Sequence, residues 1–577
     1  MKKIPYGVSD FKVVRKENYY FVDHSWAIPI VEQDRYVFLL RPRRFGKSLF
    51  LNMLATYYDV LEKDNFDSLF SGLAIAHDPT SIHSSYLVLK FNFSDVGCNS
   101  NNVQPSFNDS VINTIDEFIK TYTGFFDYDE SDRIRNRERS DAYLKWLIKV
   151  IHIAHQRMYV MIDEYDNFAN TILSYDEKGY TDMTHADGFF RLFFNILKAG
   201  TTMNDAPIDR MFITGVSPLC LSDVTSGFNI GSNYSLDFRL NSAIGFSETE
   251  VRNMLAYYEH ETGVFKHSVD ELVGIMKPYY DSNCFAVECV NDERMFNSDM
   301  ALYFLKEYVR KNGSLPDQMI DTNISTDYNK MKMLVRFERR FEQKSRLLQK
   351  ITLQGWWRSE LVREFSLGDL LKPSNVVSLL YYMGLLSWGP DERGRAVFVI
   401  PNEVVRQQYY HYMTECYAHT IDWQPDVAVL DELWSGFAYD GDCEALLAYL
   451  ASLVKENSSV RDFGPEGEAF VKGFMLSHLC RTSSYYAQSE REASKGYMDI
   501  FLEPRTDVDH GVIIELKYCK ASAPDSEVKS LLDDAVSQAD RYAVDHSLLS
   551  RAAARNWTLH RAAMVFRGWS LAELKVW

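Results

Sequence analysis

The chain has 577 residues and a mass of 66.9 kDa, too long for one hydrophobic core and enough for roughly three to four domains of ~150 residues. Hydrophobic residues at 46% and charged residues at 25% are ordinary globular usage, which excludes disorder or a coiled-coil rod as the main theme. The formal net charge of −18 disfavours a protein that coats nucleic acid through bulk electrostatics, but leaves room for one local groove beside a metal ion.

No apolar run approaches the ~20 residues of a membrane span, and the start, MKKIPYGVSD, lacks the apolar stretch of an export signal. A cytoplasmic protein without a membrane partner is expected. The eight cysteines are scattered, with no C-x-x-C pair, and are expected to be buried reduced thiols.

In chain order, the first element after the lead-in is Tyr36 to Leu40 (YVFLL), a continuous apolar run as in a strand covered on both faces. RPRRFGK interrupts it, and Ser48 to Tyr58 has helical spacing. Apolar strands are expected at Tyr86 to Phe93, Tyr159 to Ile162 and Arg210 to Gly215, separated by amphipathic helices that include Ser140 to His155 and Gly188 to Lys198. This alternation predicts a parallel α/β sheet. Ser247-Glu248-Thr249-Glu250 has the pattern of a capping box that opens a helix, and most of the chain from there to about Phe365 reads as helical. Within Leu370 to Val405, a helix-like stretch precedes a hairpin around Asp391 to Gly394 and the strand AVFVIP. Either a winged-helix module or a small helical domain without DNA contact fits that order. The last part reads as a second α/β unit. It runs as a helix over Glu466 to Leu479, paired strands over Tyr497 to Glu503 and Gly511 to Tyr518, and a helix over Val528 to Val544. The expected domains are 1–250, 251–430 and 431–577.

Arg41 to Ser48, RPRRFGKS, lies between an expected strand and an expected helix. A P-loop reads G-x-x-x-x-G-K-[ST] in that context. Its backbone N–H groups and helix N-terminus surround phosphates, its Lys meets the β and γ phosphates, and its hydroxyl ligates Mg²⁺. Gly46, Lys47 and Ser48 fit, while Arg41 stands where the first Gly belongs. Arg44, Phe45 and Leu49 complete the expected cofactor contacts. YVMIDE downstream is an apolar strand ending in two carboxylates. Asp163 would hold Mg²⁺ through water, and Glu164 would orient the attacking water. Thr214 and Ser217, at the end of RMFITGVS, are placed to contact a γ-phosphate or the lytic water, or simply to end the strand. Arg43 and Arg44 either add charge beside the phosphates or face solvent or a carboxylate.

In the C-terminal unit, Asp499 sits in GYMDIFLEP, and IIELKY places Glu515 and Lys517 two apart on one strand face. A hairpin brings the three to one point. Two carboxylates can hold Mg²⁺, with Mn²⁺ as a substitute, and the lysine can orient or deprotonate a water for attack on a phosphodiester. Glu468 on the preceding helix could add a ligand or orient a water. Gln538 and Tyr542, one turn apart on the following helix, could hold a nucleic-acid phosphate or brace the ligands. A solvated strand face also carries such charges, but the apolar run before Glu515 points to a buried strand, where charge is costly.

The sequence resembles bacterial proteins that join an N-terminal AAA-ATPase-like domain to a C-terminal PD-(D/E)xK nuclease-superfamily domain. The matching stretches are IPYGVSDF, YYFVDHS, RPRRFGKSL, VMIDEYDN, ITGVSP, GFN, GFSETEV, IPNEVV and GYMDI…IIELKY, which span nearly the full chain. The Arg-Pro-Arg-Arg-Phe-Gly-Lys phosphate loop is usual in that family. Tyr280-Asp281-Ser282-Asn283 and Asp23-His24-Ser25 depart from its pattern. The resemblance implies an AAA-like P-loop sheet, a helical and winged-helix-like middle and a restriction-endonuclease-like C-terminal fold. It also implies ATP, Mg²⁺ and nucleic acid, DNA before RNA. The leading function is an ATP-dependent nucleic-acid enzyme acting in defence against phage or mobile DNA, with a homo-oligomer left open. The alternatives are an ATP-driven regulatory protein with a silent nuclease fold, and a metabolic P-loop enzyme with a structural tail.

Overall fold

The computed structural model describes all residues except 98, 100, 101, 186, 220–222, 224–230, 293, 317, 322–344, 371, 392, 411–425, 457–466, 480, 481, 483, 494, 495 and 505–507. The GFN stretch at 227–229 lies outside the described residues. The chain forms two compact units. One takes in 1–316, 320–340 and 356–402, and the other 317–319, 341–355 and 403–577.

The first unit is built on a five-stranded sheet, β1 (Tyr36–Leu40), β2 (Leu87–Asn92), β3 (Met158–Asp163), β4 (Ile208–Gly215) and β5 (Ser232–Asn233), in the order β2-β3-β4-β1-β5. Every pairing is parallel. Helices α1 (Lys47–Tyr58), α2 (Val103–Thr121), α3 (Ser140–Ile153), α4 (Asn167–Leu173), α5 (Glu177–Thr184) and α6 (Phe189–Thr201) alternate with the strands. All six residues of β3 are buried, as the unbroken apolar run requires of a parallel strand covered on both faces. Aromatic rings pack the helices on either side of β3. Phe168 on α4 meets Phe190 on α6 edge-on at 4.8 Å, and Phe107 on α2 meets Phe193 at 5.5 Å. Each buried Phe contributes about 1.5–3 kcal/mol, so the turn after Asp163 is anchored by its hydrophobic neighbours.

The capping box at Ser247 and Glu250 is present. Ser247 accepts from the Glu250 N–H at 3.2 Å and its own N–H donates to Glu250 Oε2 at 2.8 Å. It opens α7 (Glu248–Thr262), followed by α8 (Val269–Tyr280) and α9 (Ser298–Arg310). The winged-helix-like segment belongs to this same unit. Helix α10 (Pro373–Tyr382) leads into a three-stranded sheet in the order β6 (Trp356–Trp357), β8 (Ala396–Val399), β7 (Ser387–Pro390). Its turn is held by Asp391, whose N–H donates to the Arg395 carbonyl at 2.7 Å.

The second unit has helices α11 (Val427–Ser435), α12 (Cys443–Glu456) and α13 (Gly467–Leu479), then a five-stranded mixed sheet. Strands β9 (Tyr485–Ala493), β10 (Gly496–Pro504), β11 (His510–Cys519), β12 (Thr558–Arg567) and β13 (Ser570–Val576) lie in that order. Pairs β9–β10, β10–β11 and β12–β13 are antiparallel and β11–β12 is parallel. Helices α14 (Asp525–Ala543) and α15 (His546–Arg555) make the crossover between the parallel strands. The helix–hairpin–helix expected from the sequence is there, within a sheet enlarged by β9, β12 and β13.

No helix among the described residues is long and apolar enough to cross a membrane. Cys284, Cys289, Cys443 and Cys519 are buried free thiols.

Candidate functional site

The loop from Arg41 to Gly46 joins β1 to α1. Gly46 precedes the helix in a left-handed conformation, φ 94°, which only glycine adopts without strain. Two non-glycine residues nearby share that region, Arg44 at φ 66° and Glu164 at φ 52°. Such backbone costs of order 1 kcal/mol or more each and clusters where function over-determines the structure.

A cavity of about 270 Å³ opens at the N-terminus of α1. Arg44, Phe45, Gly46, Lys47, Ser48 and Leu49 line it, with Glu164. Lys47 is buried; its Nζ donates to the Pro42 carbonyl at 3.0 Å and lies 4.0 Å from Glu164 Oε1. Asp163 is buried, which pushes its carboxyl up, while a hydrogen bond from Ser48 and the charge of Lys47 oppose the shift. The Glu164 N–H donates to Asp163 Oδ1 at 3.0 Å. The hydroxyl, the two carboxylates and the lysine thus share one corner.

Thr214 and Ser217 do not line the cavity. Both are fully buried; Thr214 Oγ1 donates to the Leu39 carbonyl at 2.8 Å, and Ser217 Oγ accepts from the Leu219 N–H at 3.2 Å. Asp166 organises that corner instead. It is fully buried, accepts from the N–H groups of Val216 at 3.1 Å and Ser217 at 2.7 Å, and is pushed up by burial. Its signal in the sequence is the VMIDEYDN stretch itself.

Arg41 points away from the cavity. It is buried, donates to the carbonyls of Leu40 at 3.0 Å, Ser235 at 2.6 Å and Leu240 at 2.9 Å, and stacks 4.4 Å over the Phe285 ring. Burial pulls its pKa down to about 10, so it stays charged at neutral pH. Arg43 donates to Asn167 at the start of α4. Arg44 faces carboxylates, with Asp299 Oδ2 at 3.1 Å and Asp321 Oδ2 at 3.6 Å.

The lead-in supplies a wall of the cavity that the motifs did not assign. Pro5, Val8, Tyr20 and Phe21 bring apolar surface, and His24, 3.1 Å from Glu250 Oε1, ties this wall to α7. The stretches IPYGVSDF and YYFVDHS contain these residues.

In the second unit, the β10–β11 register pairs Ile500 with Ile514, so Asp499 and Glu515 come opposite one another. The Asp499 N–H donates to Glu515 Oε1 at 3.2 Å, and the Leu516 N–H donates to Asp499 Oδ2 at 3.0 Å. Glu515 is 1% exposed. Burial first, then the Asp499 charge, pushes its pKa up to about 8. Lys517 Nζ donates to Gln538 Oε1 at 3.1 Å and lies 4.0 Å from Asp534 Oδ2. Tyr542 packs in the core with Met498, Phe501 and Ile513. Glu468 is exposed in the first turn of α13. One turn later on that helix, Lys472 is buried and donates from Nζ to Asp499 Oδ1 at 3.1 Å. No motif in the sequence called for Lys472. Among the described residues, no His, Cys, Asp or Glu makes a set of three with this pair.

The donor sets fit their groups. At the first site a lysine, a hydroxyl and a buried carboxylate meet at a helix N-terminus, the surroundings of a phosphate with its Mg²⁺. At the second, two facing carboxylates with one pushed toward protonation form an arrangement that a hard cation relieves.

Fold and sites together define a P-loop ATPase-like domain followed by a nuclease-like α/β domain. Residues 5–225 match the family described as predicted AAA-ATPase, and residues 466–575 match the PD-(D/E)XK nuclease superfamily. The protein therefore joins an AAA-ATPase-like domain to a C-terminal domain of the PD-(D/E)XK nuclease superfamily, families that imply a nucleotide and a divalent metal. An uncharacterized protein of the vnfD 5′ region of Azotobacter chroococcum mcd 1 is 30% identical over 264 residues, covering 44% of this chain and 45% of that protein. The chain thus matches less than half the length of that relative. The structure of the Aeropyrum pernix ORC2 protein is similar at 14% identity and a TM-score of 0.30, covering 70% of this chain and 98% of that one.

Proposed function

We propose that the protein binds and hydrolyses ATP and that its C-terminal domain cuts nucleic acid with a divalent metal, DNA before RNA. At the first site Lys47 and the α1 N-terminal N–H groups bind the phosphates, and Ser48 with Asp163 holds Mg²⁺. Glu164 orients the water. At the second site Asp499 and Glu515 hold Mg²⁺ or Mn²⁺, and Lys517, oriented by Gln538, positions the attacking water. The metal, when bound, supplies positive charge to stabilise the developing phosphoryl charge. The observation that carries the nuclease reading is the meeting of Asp499 with the buried Glu515 across the hairpin, with Lys517 two residues further along the strand.

A coupling of the two activities is part of this reading. Gly384, beside α10, approaches the phosphate loop so closely that a Cβ would lie 2.6 Å from Pro42 Cβ. A shift of the loop on ATP binding would be passed to the winged-helix-like segment. We read this as the input that gates cutting, in a cytoplasmic setting of defence against phage or mobile DNA. The experiment is a panel of single- and double-stranded DNA and RNA with Mn²⁺, with and without ATP. Cutting that disappears in Lys517→Ala supports the reading. No cutting under any nucleotide condition overturns it.

One observation favours the second reading, an ATP-driven regulatory protein with a silent nuclease fold. The Lys472 ammonium already sits on Asp499 Oδ1. Intact ATP hydrolysis by a full chain that binds no Mn²⁺ would support that alternative.

A further inference from the structure

The C-terminal site holds a lysine that the E-x-K pattern does not require. Lys472 Nζ lies 3.1 Å from Asp499 Oδ1, and both side chains are largely buried, 11% and 18% exposed. The two oxygens of Asp499 are thus divided. The Leu516 N–H takes Oδ2 and the Lys472 ammonium takes Oδ1. Lys517, the other cation, is turned to Gln538.

A divalent ion held by Asp499 and Glu515 needs carboxylate oxygens, and Oδ1 carries an ammonium in this arrangement. In so buried a place the repulsion between an ammonium and a divalent ion is only weakly screened. Resting on the reading of this pair as a metal site, we propose that Lys472 is a positioning residue, a stand-in cation that holds Asp499 without metal and that the metal must displace. It sets the metal concentration at which the site loads.

The test is a calorimetric Mn²⁺ titration of the full chain and its variants. Lys472→Met keeps most of the apolar stem and removes the charge, so Mn²⁺ affinity should rise about tenfold or more. Lys472→Arg keeps the charge and should titrate like the wild type. Lys472→Met combined with Glu515→Gln should lose the tight binding, which locates the metal at this pair. A purely structural lysine would not tighten metal binding when removed. Affinity equal to or weaker than wild type in a folded Lys472→Met overturns this inference alone. No Mn²⁺ binding in either protein overturns it together with the nuclease reading. Lys472→Gln, uncharged but able to bond Asp499, is read in the same way if the Met variant does not fold.

Discussion

Asp499 and Glu515 lock to each other through the backbone, Asp499 N–H to Glu515 Oε1 at 3.2 Å and Leu516 N–H back to Asp499 Oδ2 at 3.0 Å. Each carboxylate position is therefore set by the strand pairing and not by a flexible side chain. Such mutual bracing is the kind of support a preorganised site requires.

The first prediction concerns pH. Burial and the Asp499 charge push the Glu515 pKa up from its ordinary value of about 4.5 to about 8. Between those values the folded protein keeps a proton that the unfolded chain has lost. Stability therefore falls as pH rises from about 4.5 to 8, with the full cost present above 8 and none below 4.5. Glu515→Gln should remove this slope and leave the metal-free protein more stable at pH 8.5, by on the order of 1–3 kcal/mol. Thermal midpoints across pH 4.5–8.5 check it. Parallel curves for the two proteins would mean that Glu515 keeps its ordinary pKa.

Much of this was legible in the sequence, for identifiable reasons. Lys47 and Ser48 lie in one contiguous stretch between a strand and a helix, so their spacing carries their geometry. Asp499, Glu515 and Lys517 needed only one hairpin, which the period-2 rule supplies. Lys472 was not legible, because a helix-to-strand contact depends on packing that no local pattern encodes. Thr214 and Ser217 were ambiguous for a different reason. A polar residue at a strand end is equally suited to a ligand and to its neighbours' backbone, and here the Leu39 carbonyl and the Leu219 N–H take the hydroxyls. Strands β9 and β13, YYAQSEREA and SLAELKV, have too many polar residues to stand out as strands.

A second prediction tests the phosphate site. Lys47 Nζ donates to the Pro42 carbonyl and lies near Glu164, at the helix N-terminus where phosphates would bind. Lys47→Ala should remove a charged contact worth roughly 1.5–3 kcal/mol, about ten- to a hundredfold in ATP affinity. Calorimetry giving equal affinities would remove Lys47 from the site.

The third separates binding from hydrolysis. Glu164 lines the cavity at the end of β3, next to Asp163, which Ser48 contacts. Glu164→Gln keeps the shape and loses the charge that polarises water. ATP should still bind, while phosphate release falls about a hundredfold or more. Unchanged release would mean that another group orients the water and that Glu164 serves the turn.

The last prediction concerns Arg41, which stands where a general P-loop has its first glycine. The motif invites the idea that this arginine touches phosphate. Its geometry says otherwise, because its guanidinium bonds the carbonyls of Leu40, Ser235 and Leu240 and lies on Phe285. It closes the end of β1 onto the segment that follows β5. Arg41→Met fills much of the same volume but leaves the Ser235 and Leu240 carbonyls without this donor. That loss should cost about 2–4 kcal/mol of stability and lower the thermal midpoint. Restoring the motif with Arg41→Gly should be worse, since it adds a cavity. ATP affinity, measured where the variant is fully folded, should fall far less than in Lys47→Ala. A stable Arg41→Met protein that loses ATP as completely as Lys47→Ala would place this guanidinium on the nucleotide instead of on the fold.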